Sequence, residues 1–424
     1  MADKQQLVRP LAAEVNRLGG LLGDVSGLEQ RGAALSRLDG APRPDRVKHL
    51  WRFTDPANLV PAAESEFGGP DVKATMDPLA AVVVDLQPGR RPLITMGPAG
   101  REAGLEIISL AEAGALAQRM SETTPAPESA WFADLNEAAW NTGVAMRIPR
   151  GVVLSAPVRV VVHATNDAVL PRILVVAEAT SEIEIVEEHR GGGAGTRVAS
   201  VTGVVADAGS HVRHVVVQAW NAGVNGHLGV RTLASRDADV LSVFCVLGGD
   251  RAKLELITTL AGEGARSNMV GIILGADRQH LDVHTRHVHQ VGHTRSDIDV
   301  KAVMTGHSRS SYTGLIRIEK EARETEAFQE NRNLVLSGTA RADTIPELEI
   351  LNQDVKCSHG ATVAPLDENQ VFYLQSRGIE DGQARLMIVR GFLENTLARL
   401  PASLREDVSA IIDARLVAVE ESKS

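Results

Sequence analysis

The most constraining feature of the sequence is a recurring alternation of short apolar runs and turn-like clusters between residues 77 and 363. The runs consist mostly of Val, Ile and Leu and alternate with polar residues, as half-buried strands do. Turn-like clusters recur about every 27 to 30 residues, near Ser181, Gly209, Ala238, Ala265 and Arg295. A unit too short to bury its own apolar face predicts a solenoid, in which stacked neighbours supply the core.

A right-handed parallel β-helix satisfies this pattern best. Coils stacked about 4.8 Å apart favour β-branched side chains in a narrow interior, which agrees with an aromatic content of 3%. We therefore predict a mainly β protein with a β-helix core over residues 77–366, an N-terminal helical segment (1–76) and a C-terminal helical segment (367–424). An antiparallel sandwich or several small β domains is the alternative, although Asn-Gly hairpin signals are scarce and Asn225-Gly226 is the exception.

Helical spacing marks both ends of the chain. Near the N-terminus, apolar residues recur with this spacing at Leu7, Leu11, Val15, Leu18 and Leu22. The pair Gly19-Gly20 interrupts the pattern, so we expect short helices between residues 4 and 38. The same periodicity predicts a helix over residues 128–141, and it returns beyond Asp367.

Composition excludes several function classes. The chain carries 44 Lys and Arg against 54 Asp and Glu, a net charge of −10, which is not typical of nucleic-acid binding. We expect no membrane-spanning segment, because no apolar stretch approaches the roughly 20 residues that cross a bilayer. Cys245 and Cys357 are too few for a disulfide framework, and the N-terminus lacks an apolar signal-peptide core, so we predict a cytoplasmic protein.

Two motifs favour structural roles. The glycine-rich stretch at residues 191–196 does not end in the Gly-Lys-Ser/Thr of a phosphate-binding loop, and we interpret it as a surface turn. Histidines are concentrated at His280, His284, His287, His289 and His293. Strand alternation would put His287 and His289 on one face, where Asp282 could complete a zinc or iron site. The spacing matches no compact metal signature, so a solvent-facing or hydrogen-bonded histidine ladder is favoured and a metalloenzyme is the alternative.

The segment Cys357-Ser358-His359 is a sharper candidate site. In an extended segment, residues two positions apart project to the same side, so one thiolate and one imidazole could reach a single metal ion. Two ligands do not close a four-coordinate site, and the others would come from a partner chain, a sulfide or a small molecule. A buried cysteine beside a hydrogen-bonded histidine is the alternative interpretation.

Enzyme signatures are absent from the sequence. It contains no Gly-x-Ser-x-Gly elbow, no His-Glu-x-x-His and no paired-carboxylate motif. Many parallel β-helices act on polysaccharides through a surface groove, and such an enzyme is the alternative from another functional class. We do not expect this chain to be an enzyme.

Four C-terminal motifs closely resemble the SufB/SufD family of iron-sulfur cluster assembly proteins. They read Asn-Arg-Asn-Leu-Val-Leu (331–336), Ala-Asp-Thr-Ile-Pro-Glu-Leu-Glu-Ile (342–350), Asp-Val-Lys-Cys-Ser-His-Gly-Ala-Thr (354–362) and Phe-Tyr-Leu-Gln-Ser-Arg-Gly-Ile (372–379). Weaker matches include Trp-Arg-Phe-Thr-Asp at 51–55 and Gly-Gly-Asp-Arg at 248–251. The motif Lys-Cys-Ser-His-Gly-Ala-Thr is similar to that of the SufD branch. The resemblance covers about residues 45–400.

The resemblance implies a non-catalytic scaffold subunit that joins a SufB-like scaffold and a SufC-like ABC ATPase in the SufBCD complex of the SUF system. Cys357 and His359 would be ligands of a transient iron-sulfur cluster at the subunit interface. The C-terminal helices would face the ATPase, with candidate contact residues Tyr373, Arg377, Arg390 and Phe392. The chain has no Walker A sequence, so it would respond to ATP hydrolysis without performing it.

Two departures separate the sequence from SufB-type chains. Those chains carry His-Glu-Ala-Thr where this one has Gly360 after the histidine, and they carry a sulfur-accepting cysteine near the position of residues 333–335. We therefore expect no persulfide acceptance by this chain. A homodimeric SufB-like scaffold that acts without a separate SufB is the alternative within the family, and a homodimer of the isolated chain also stays open.

Overall fold

The chain folds into a parallel β-solenoid of about eight turns with helices at both termini. The computed structural model describes residues 2–24, 27–47, 49–62, 65–69, 71–165 and 167–421. The mainly β class and the solenoid are confirmed. Among the described strands, antiparallel pairing is confined to two pairs near the N-terminal end of the solenoid, so the antiparallel sandwich alternative is wrong.

Successive strands alternate between two sheets, A and B. Sheet A contains, in spatial order, β2 (Leu93–Met96), β1 (Val82–Leu86), β5 (Val158–Ala164), β8 (Glu182–Gly191), β10 (His211–Trp220), β12 (Asp239–Val246), β14 (Arg266–Gly275), β16 (Arg295–Met304), β18 (Thr325–Val335) and β20 (Val355–Pro365). Sheet B contains β19 (Arg341–Ile350), β17 (Arg309–Ile318), β15 (His280–His289), β13 (Arg251–Leu260), β11 (Asn225–Ala234), β9 (Arg197–Ala206), β7 (Pro171–Ala177), β4 (Thr142–Ile148) and β3 (Glu106–Ser109), and β6 (Ala168–Val169) pairs with β9.

The space between the sheets is filled by the inward rows of Val, Ile, Leu and Ala. Because parallel strands stack in register, each inward side chain sits on the same position of the next coil. The Phe244 ring fits because the neighbouring position has no side chain: it lies over Gly271, where an added Cβ would be 2.1 Å from the ring. This stacking explains why a solenoid sequence contains so few aromatic residues.

The turn-like clusters of the sequence form one corner of the solenoid. Residues at this corner have left-handed backbone conformations, with φ of 61° at Thr180, 67° at Gly209, 56° at Asp237, 77° at Gly264 and 58° at His293. Backbone hydrogen bonds link this corner from coil to coil, such as Gly209 N–H to the Arg236 carbonyl. His293 is therefore an exposed turn residue and lies apart from the other histidines.

The N-terminal helices cover the outer face of sheet B. They are α1 (Ala2–Leu22) and α2 (Leu28–Gly40), and they are followed by α3 (Pro98–Glu102), α4 (Ala115–Gln118), α5 (Ala130–Ala139) and 3₁₀ turns at His49–Trp51, Pro56–Leu59, Leu110–Glu112, Arg119–Glu122 and Pro127–Ser129. The prediction that Gly19-Gly20 interrupts the first helix is wrong. The helix passes through both glycines, and Gly19 lets Leu28 approach so closely that an added Cβ would lie 2.5 Å from its side chain. Close packing of α2 outweighs the low helix propensity of glycine.

The C-terminal helices cover the outer face of sheet A. They are α6 (Glu368–Gln375), α7 (Asp381–Leu397) and α8 (Ala402–Glu421). Their apolar residues pack on outward side chains of β8 to β16, among them Cys245. Burial raises the pKa of the Cys245 thiol to about 12, so this cysteine is a core residue. Within the described residues, no helix is long and apolar enough to cross a membrane.

Candidate functional site

The solenoid ends at β19 and β20, whose outer edges no other strand covers among the residues that the structure describes. β19 pairs with β17 and β20 pairs with β18, each in parallel and along one edge. The other edges present unpaired backbone N–H and C=O groups, which can pair with a strand of another chain. We call this end of the molecule, formed by β19 and β20, the open end.

The register of β20 places Cys357 and His359 on the same side of the strand. Cys357 lies beside Ala327 of β18, and His359 lies beside Gln329. Ala327 belongs to the core, and only 3% of the Gln329 surface is exposed, so both point into the solenoid. Because neighbouring positions on parallel strands share a face, the thiol and the imidazole both face the interior of the last coil.

In the part of the chain that the structure describes, no further coil covers this interior face. Cys357 is partly buried and packs against the core, whereas His359 is exposed. The two side chains share a side, as the spacing indicated, but that side is the inside of the terminal coil rather than the outer surface of a sheet. A protein docked end-on would therefore contact both groups.

The electrostatics of the open end leave the thiol neutral. Burial raises the pKa of the Cys357 thiol, while a hydrogen bond with the backbone of Ala327 acts in the opposite direction. Metal coordination would be needed to hold this group as a thiolate at neutral pH. Lys356 and Arg341, the Lys and Arg residues of the end strands, are each paired with a carboxylate, at 3.0 and 2.7 Å.

Sequence analysis missed Gln329, which lies in the layer beneath His359. Its Nε2 and Oε1 atoms are buried and make no hydrogen bond within the described residues. Space for this amide comes from Gly314 on the facing sheet, where an added Cβ would lie 2.2 Å from Nε2. Leaving buried polar atoms unpaired costs free energy. Strand alternation could have indicated this position. It places residues 325, 327 and 329 on one face of β18, in the same way as it places Cys357 and His359 on one face of β20.

The four residues predicted to face an ATPase lie on α6, in the turn after it and on α7, and they do not form one cluster. Tyr373 is 57% exposed, and Arg377 lies beside it with its guanidinium 5.2 Å from the ring centroid. Arg390 instead forms a salt bridge with Asp413 of α8. Phe392 packs on the outer face of sheet A, with the Lys301 ammonium 5.5 Å from its ring centroid. Tyr373 and Arg377 are thus the pair that a partner could reach most directly.

Two of the clustered histidines point into the solenoid. His287 Nε2 lies 2.9 Å from Ser267 Oγ, and His289 contacts Thr294 Oγ1 at 2.7 Å and Ser296 Oγ at 2.8 Å. Burial lowers the pKa of His289 to about 4 and holds that of His287 well below its ordinary value. Both histidines are thus hydrogen-bonded, but their in-register neighbours on β13 and β17 are not histidines, so this pair does not form the predicted ladder.

The other histidines of β15 face outward, towards the N-terminal segment. Lys253 Nζ lies 3.1 Å from Asp282 Oδ2 and 3.0 Å from His284 Nε2, and Thr54 Oγ1 lies 2.9 Å from His280 Nε2. The structure therefore separates Asp282 from His287 and His289. Among the described residues, no group of three His, Cys, Asp or Glu side chains could hold a metal ion.

The glycine-rich stretch forms the turn between β8 and β9. Gly191 and Gly192 both have positive φ, of 85° and 86°. A Cβ on Gly192 would lie 2.5 Å from Val224, so a side chain would not fit there. The stretch leads into a strand rather than a helix, which agrees with its interpretation as a turn.

Comparison with known proteins gives a consistent result. A family model described as "SUF system FeS cluster assembly, SufBD core domain" matches residues 160–392. The chain is 27% identical over 285 residues to the iron-sulfur cluster assembly protein SufB of Bacillus subtilis (strain 168), covering 66% of this chain and 61% of that protein. It is 30% identical over 298 residues to an iron-sulfur cluster assembly SufBD family protein of Mycobacterium bovis, covering 68% of this chain and 74% of that protein.

A third relative, an iron-sulfur cluster assembly SufBD family protein of Staphylococcus saprophyticus, is 27% identical over 299 residues, covering 70% of this chain and 64% of that protein. The chain thus spans somewhat less than two thirds of the length of two of these three relatives. The matched core domain runs from β5 to α7 and includes the open end with Cys357 and His359. The chain belongs to the SufBD family of iron-sulfur cluster assembly proteins.

Proposed function

We propose that this protein is a SufD-like, non-catalytic scaffold subunit that docks through its open end on a SufB-like partner. A nascent iron-sulfur cluster would form between the two chains, with Cys357 and His359 as the ligands from this side. The observation that carries the proposal is the placement of both groups on the uncovered interior face of the last coil. The cluster is the cargo of the complex, which we expect to work in the cytoplasm.

The free edges of β19 and β20 support end-on docking. A partner strand could continue either sheet through backbone hydrogen bonds, which is a recurring mode of protein association. Apolar side chains are exposed at the same end, among them Ile350, Leu351 and Val363. Exposed apolar residues beside unpaired strand edges are unfavourable in a free protein and are typical of an interface.

The number of ligands also supports a shared site. One thiolate and one imidazole cannot complete the coordination of an iron ion, which in clusters is typically bound by four ligands including sulfide. The described residues hold no third metal ligand in one group with Cys357 and His359. Residues of the partner and sulfide would supply the rest, so the cluster would form only in the assembled complex.

A second surface fits the ATPase partner. Phe372 is 71% exposed, next to Tyr373 on α6, and Met387 is exposed on α7. The cation of Arg377 lies over the ring of Tyr373, and exposed aromatic and arginine side chains are a combination found at the centre of many interfaces. Movement of a bound ATPase would reach sheet A through the apolar contact between α7 and that sheet.

The ligand role can be tested by anaerobic reconstitution of the complex with its SufB-like and SufC-like partners. The double variant Cys357→Ala, His359→Ala should assemble but give much less iron-sulfur absorbance than the wild type. The matched control is Lys356→Ala, Ser358→Ala, which changes the opposite face of the same strand. Equal absorbance in the wild type and the Cys357, His359 variant would refute the ligand role.

The two docking surfaces can be tested by co-purification. Val363→Glu puts a charge on the open end and should abolish capture of the SufB-like partner, while Val47→Glu, at a fully exposed position elsewhere, should not. Tyr373→Ser with Arg377→Ser should weaken capture of the ATPase, while Leu79→Ser should leave it intact. If Val363→Glu captures the SufB-like partner as the wild type does, the open end is refuted as its docking surface. Unchanged capture of the ATPase by the Tyr373, Arg377 variant would refute the second surface.

The homodimeric alternative makes a different prediction for the isolated chain. If two copies join through their open ends, sedimentation should show a dimer that Val363→Glu converts to a monomer. A SufB-like role would further require uptake of sulfur from a cysteine desulfurase, whereas the SufD-like proposal predicts none. Stoichiometric sulfur transfer to the isolated chain would therefore favour the alternative.

A further inference from the structure

A cavity of about 550 Å³ lies between the outer face of sheet B and the N-terminal helices, on a different part of the molecule from the open end. Its polar lining is dominated by guanidinium groups, and its apolar lining includes a tryptophan and a methionine. The residues concerned are Arg31, Arg37, Arg172, Arg231, Trp140 and Met120. We call this space the arginine cavity. Its volume is in the range of small-molecule binding sites.

Arg231 is the most unusual residue of the arginine cavity. Its side chain projects from the outer face of β11, and the residue is only 8% exposed. Within the described residues its guanidinium makes no hydrogen bond and no salt bridge. Gly203, its in-register neighbour on β9, makes room for Met120 of the cavity lining, since an added Cβ would lie 2.4 Å from the Met120 sulfur.

A second guanidinium is also incompletely paired. Arg31 is 1% exposed and binds Asp24 at 2.7 Å and the Trp140 carbonyl at 3.0 Å, with its guanidinium stacked 4.0 Å from the Trp140 ring. Its Nη2 atom is buried and has no hydrogen-bond partner among the described residues. Arg172 Nη1 donates to Asn136 at 3.0 Å. Arg31 Nη2 is therefore a buried N–H donor without an acceptor, in the same cavity as the guanidinium of Arg231.

The charges that line the arginine cavity do not balance. Four arginines face three carboxylates, which belong to Asp24, Asp134 and Glu137. Asp24 is taken by Arg31, and Arg37 holds both Asp134 and Glu137, at 2.8 and 3.1 Å. Glu137 is shared, because its Oε2 also lies 3.8 Å from Arg172 Nη2, so the positive charge without a contacting carboxylate is that of Arg231.

Burial of this charge lowers the pKa values of two of the arginines. Burial, reinforced by the charge of Arg172 and opposed by the more weakly acting carboxylate of Glu255, lowers the pKa of Arg231 to about 10. Burial likewise lowers the pKa of Arg172. A buried guanidinium without a hydrogen-bond acceptor is costly, and an anion in the cavity would supply the acceptor.

We propose that the arginine cavity binds a small organic anion whose phosphate or carboxylate oxygens accept hydrogen bonds from Arg231, Arg172 and Arg31 Nη2. Planar guanidinium groups suit both kinds of oxyanion, because two parallel N–H donors match two oxygens. Trp140, Leu110 and Met120 form an apolar wall that would contact the body of the ligand. This proposal does not depend on the cluster-assembly function.

The proposal is tested by titration calorimetry of the full chain with inorganic phosphate and, separately, with citrate, in chloride buffers of equal ionic strength. Saturable binding of one anion per chain is expected for at least one probe, and the arm that binds identifies phosphate or carboxylate chemistry. Arg231→Met should weaken the binding about tenfold or more, because it removes charge-assisted hydrogen bonds. Arg236→Met is the matched control, since it removes an exposed guanidinium from the turn after β11.

Thermal unfolding without ligand separates binding from folding. Arg231→Met should keep or raise the melting temperature, because an unpaired buried cation is replaced by an apolar side chain of similar length. If this variant does not fold, Arg172→Met replaces it in the titration with the same expected loss, and Arg231→Lys should retain part of the affinity. The proposal is overturned if neither probe binds, or if the arginine variants and the control bind like the wild type.

Discussion

The buried ion pair between Lys253 and Asp282 allows a quantitative test of how the N-terminal segment is held on the solenoid. The two residues are in-register neighbours on β13 and β15, both are fully buried, and their Nζ and Oδ2 atoms lie 3.1 Å apart. Lys253 also donates to the Leu50 carbonyl at 2.7 Å and lies 4.7 Å from the Trp51 ring centroid. The pair therefore connects sheet B to residues 50 and 51.

Replacing Lys253 by Met should be strongly destabilising. Burial by itself would raise the pKa of Asp282, but the Lys253 charge, with contributions from His284 and Thr54, lowers it well below the ordinary value. Without the lysine the carboxylate is buried and poorly compensated, and breaking such a pair typically costs about 3–5 kcal/mol. Adding Asp282→Leu should restore most of the lost free energy of unfolding, because two apolar side chains on adjacent strands can pack together.

The assay is urea unfolding followed by circular dichroism on the wild type, both single variants and the double variant. Hydrogen exchange of residues 49–59 would show whether the N-terminal segment loosens first. We expect a coupling free energy of about 2 kcal/mol or more between the two sites. The matched control is Arg317 with Glu349, an in-register pair on β17 and β19 that is partly exposed, for which less than about 1 kcal/mol is expected. Additive effects of the Lys253 and Asp282 substitutions would refute this account.

Three further outcomes follow from the packing of the solenoid. Because burial lowers the pKa of His289 from 6.5 to about 4, the unfolded chain binds more protons between these values. The free energy of unfolding should thus fall by up to about 3 kcal/mol as the pH drops from 6.5 to 4, and His289→Gln should flatten that part of the stability–pH curve. Gly271→Ala should cost about 1–3 kcal/mol, because the new Cβ would clash with the Phe244 ring; an unchanged melting temperature would contradict this. A thiol reagent should modify the partly exposed Cys357 within the native protein while Cys245 reacts only on unfolding, and mass spectrometry of the labelled peptides would show whether the order is reversed.

Much of the candidate site could be predicted because strands obey a simple period. Alternation alone placed Cys357 and His359 on one side, and likewise His287 with His289, whereas the separation of this histidine pair from Asp282 came from the structure. Alternation does not say which face is inside. That assignment needed the register with Ala327 and Gln329, which shows that the pair faces the interior of a coil left uncovered at the end.

Features formed by residues far apart in the chain escaped the sequence analysis. The arginine cavity combines Arg31 from α2 with Arg172 from β7 and Arg231 from β11. The local sequence around each arginine is typical of a surface position, because burial by a helix that is distant in the chain leaves no local pattern. The continuation of α1 through Gly19 has the same origin, because its benefit comes from Leu28 packing against it.

The amino-acid sequence by itself determined the solenoid, because a period of stacked strands and their turns is a local property repeated along the chain. It also determined which residues share a side of β20 and, through the C-terminal motifs, the family. Only the tertiary structure decided which sides are buried, which arginines lack acceptors and where the strand edges stay open. Burial and pairing depend on what is packed against a residue, and in this protein the packing partners come from other coils and from helices distant in the chain.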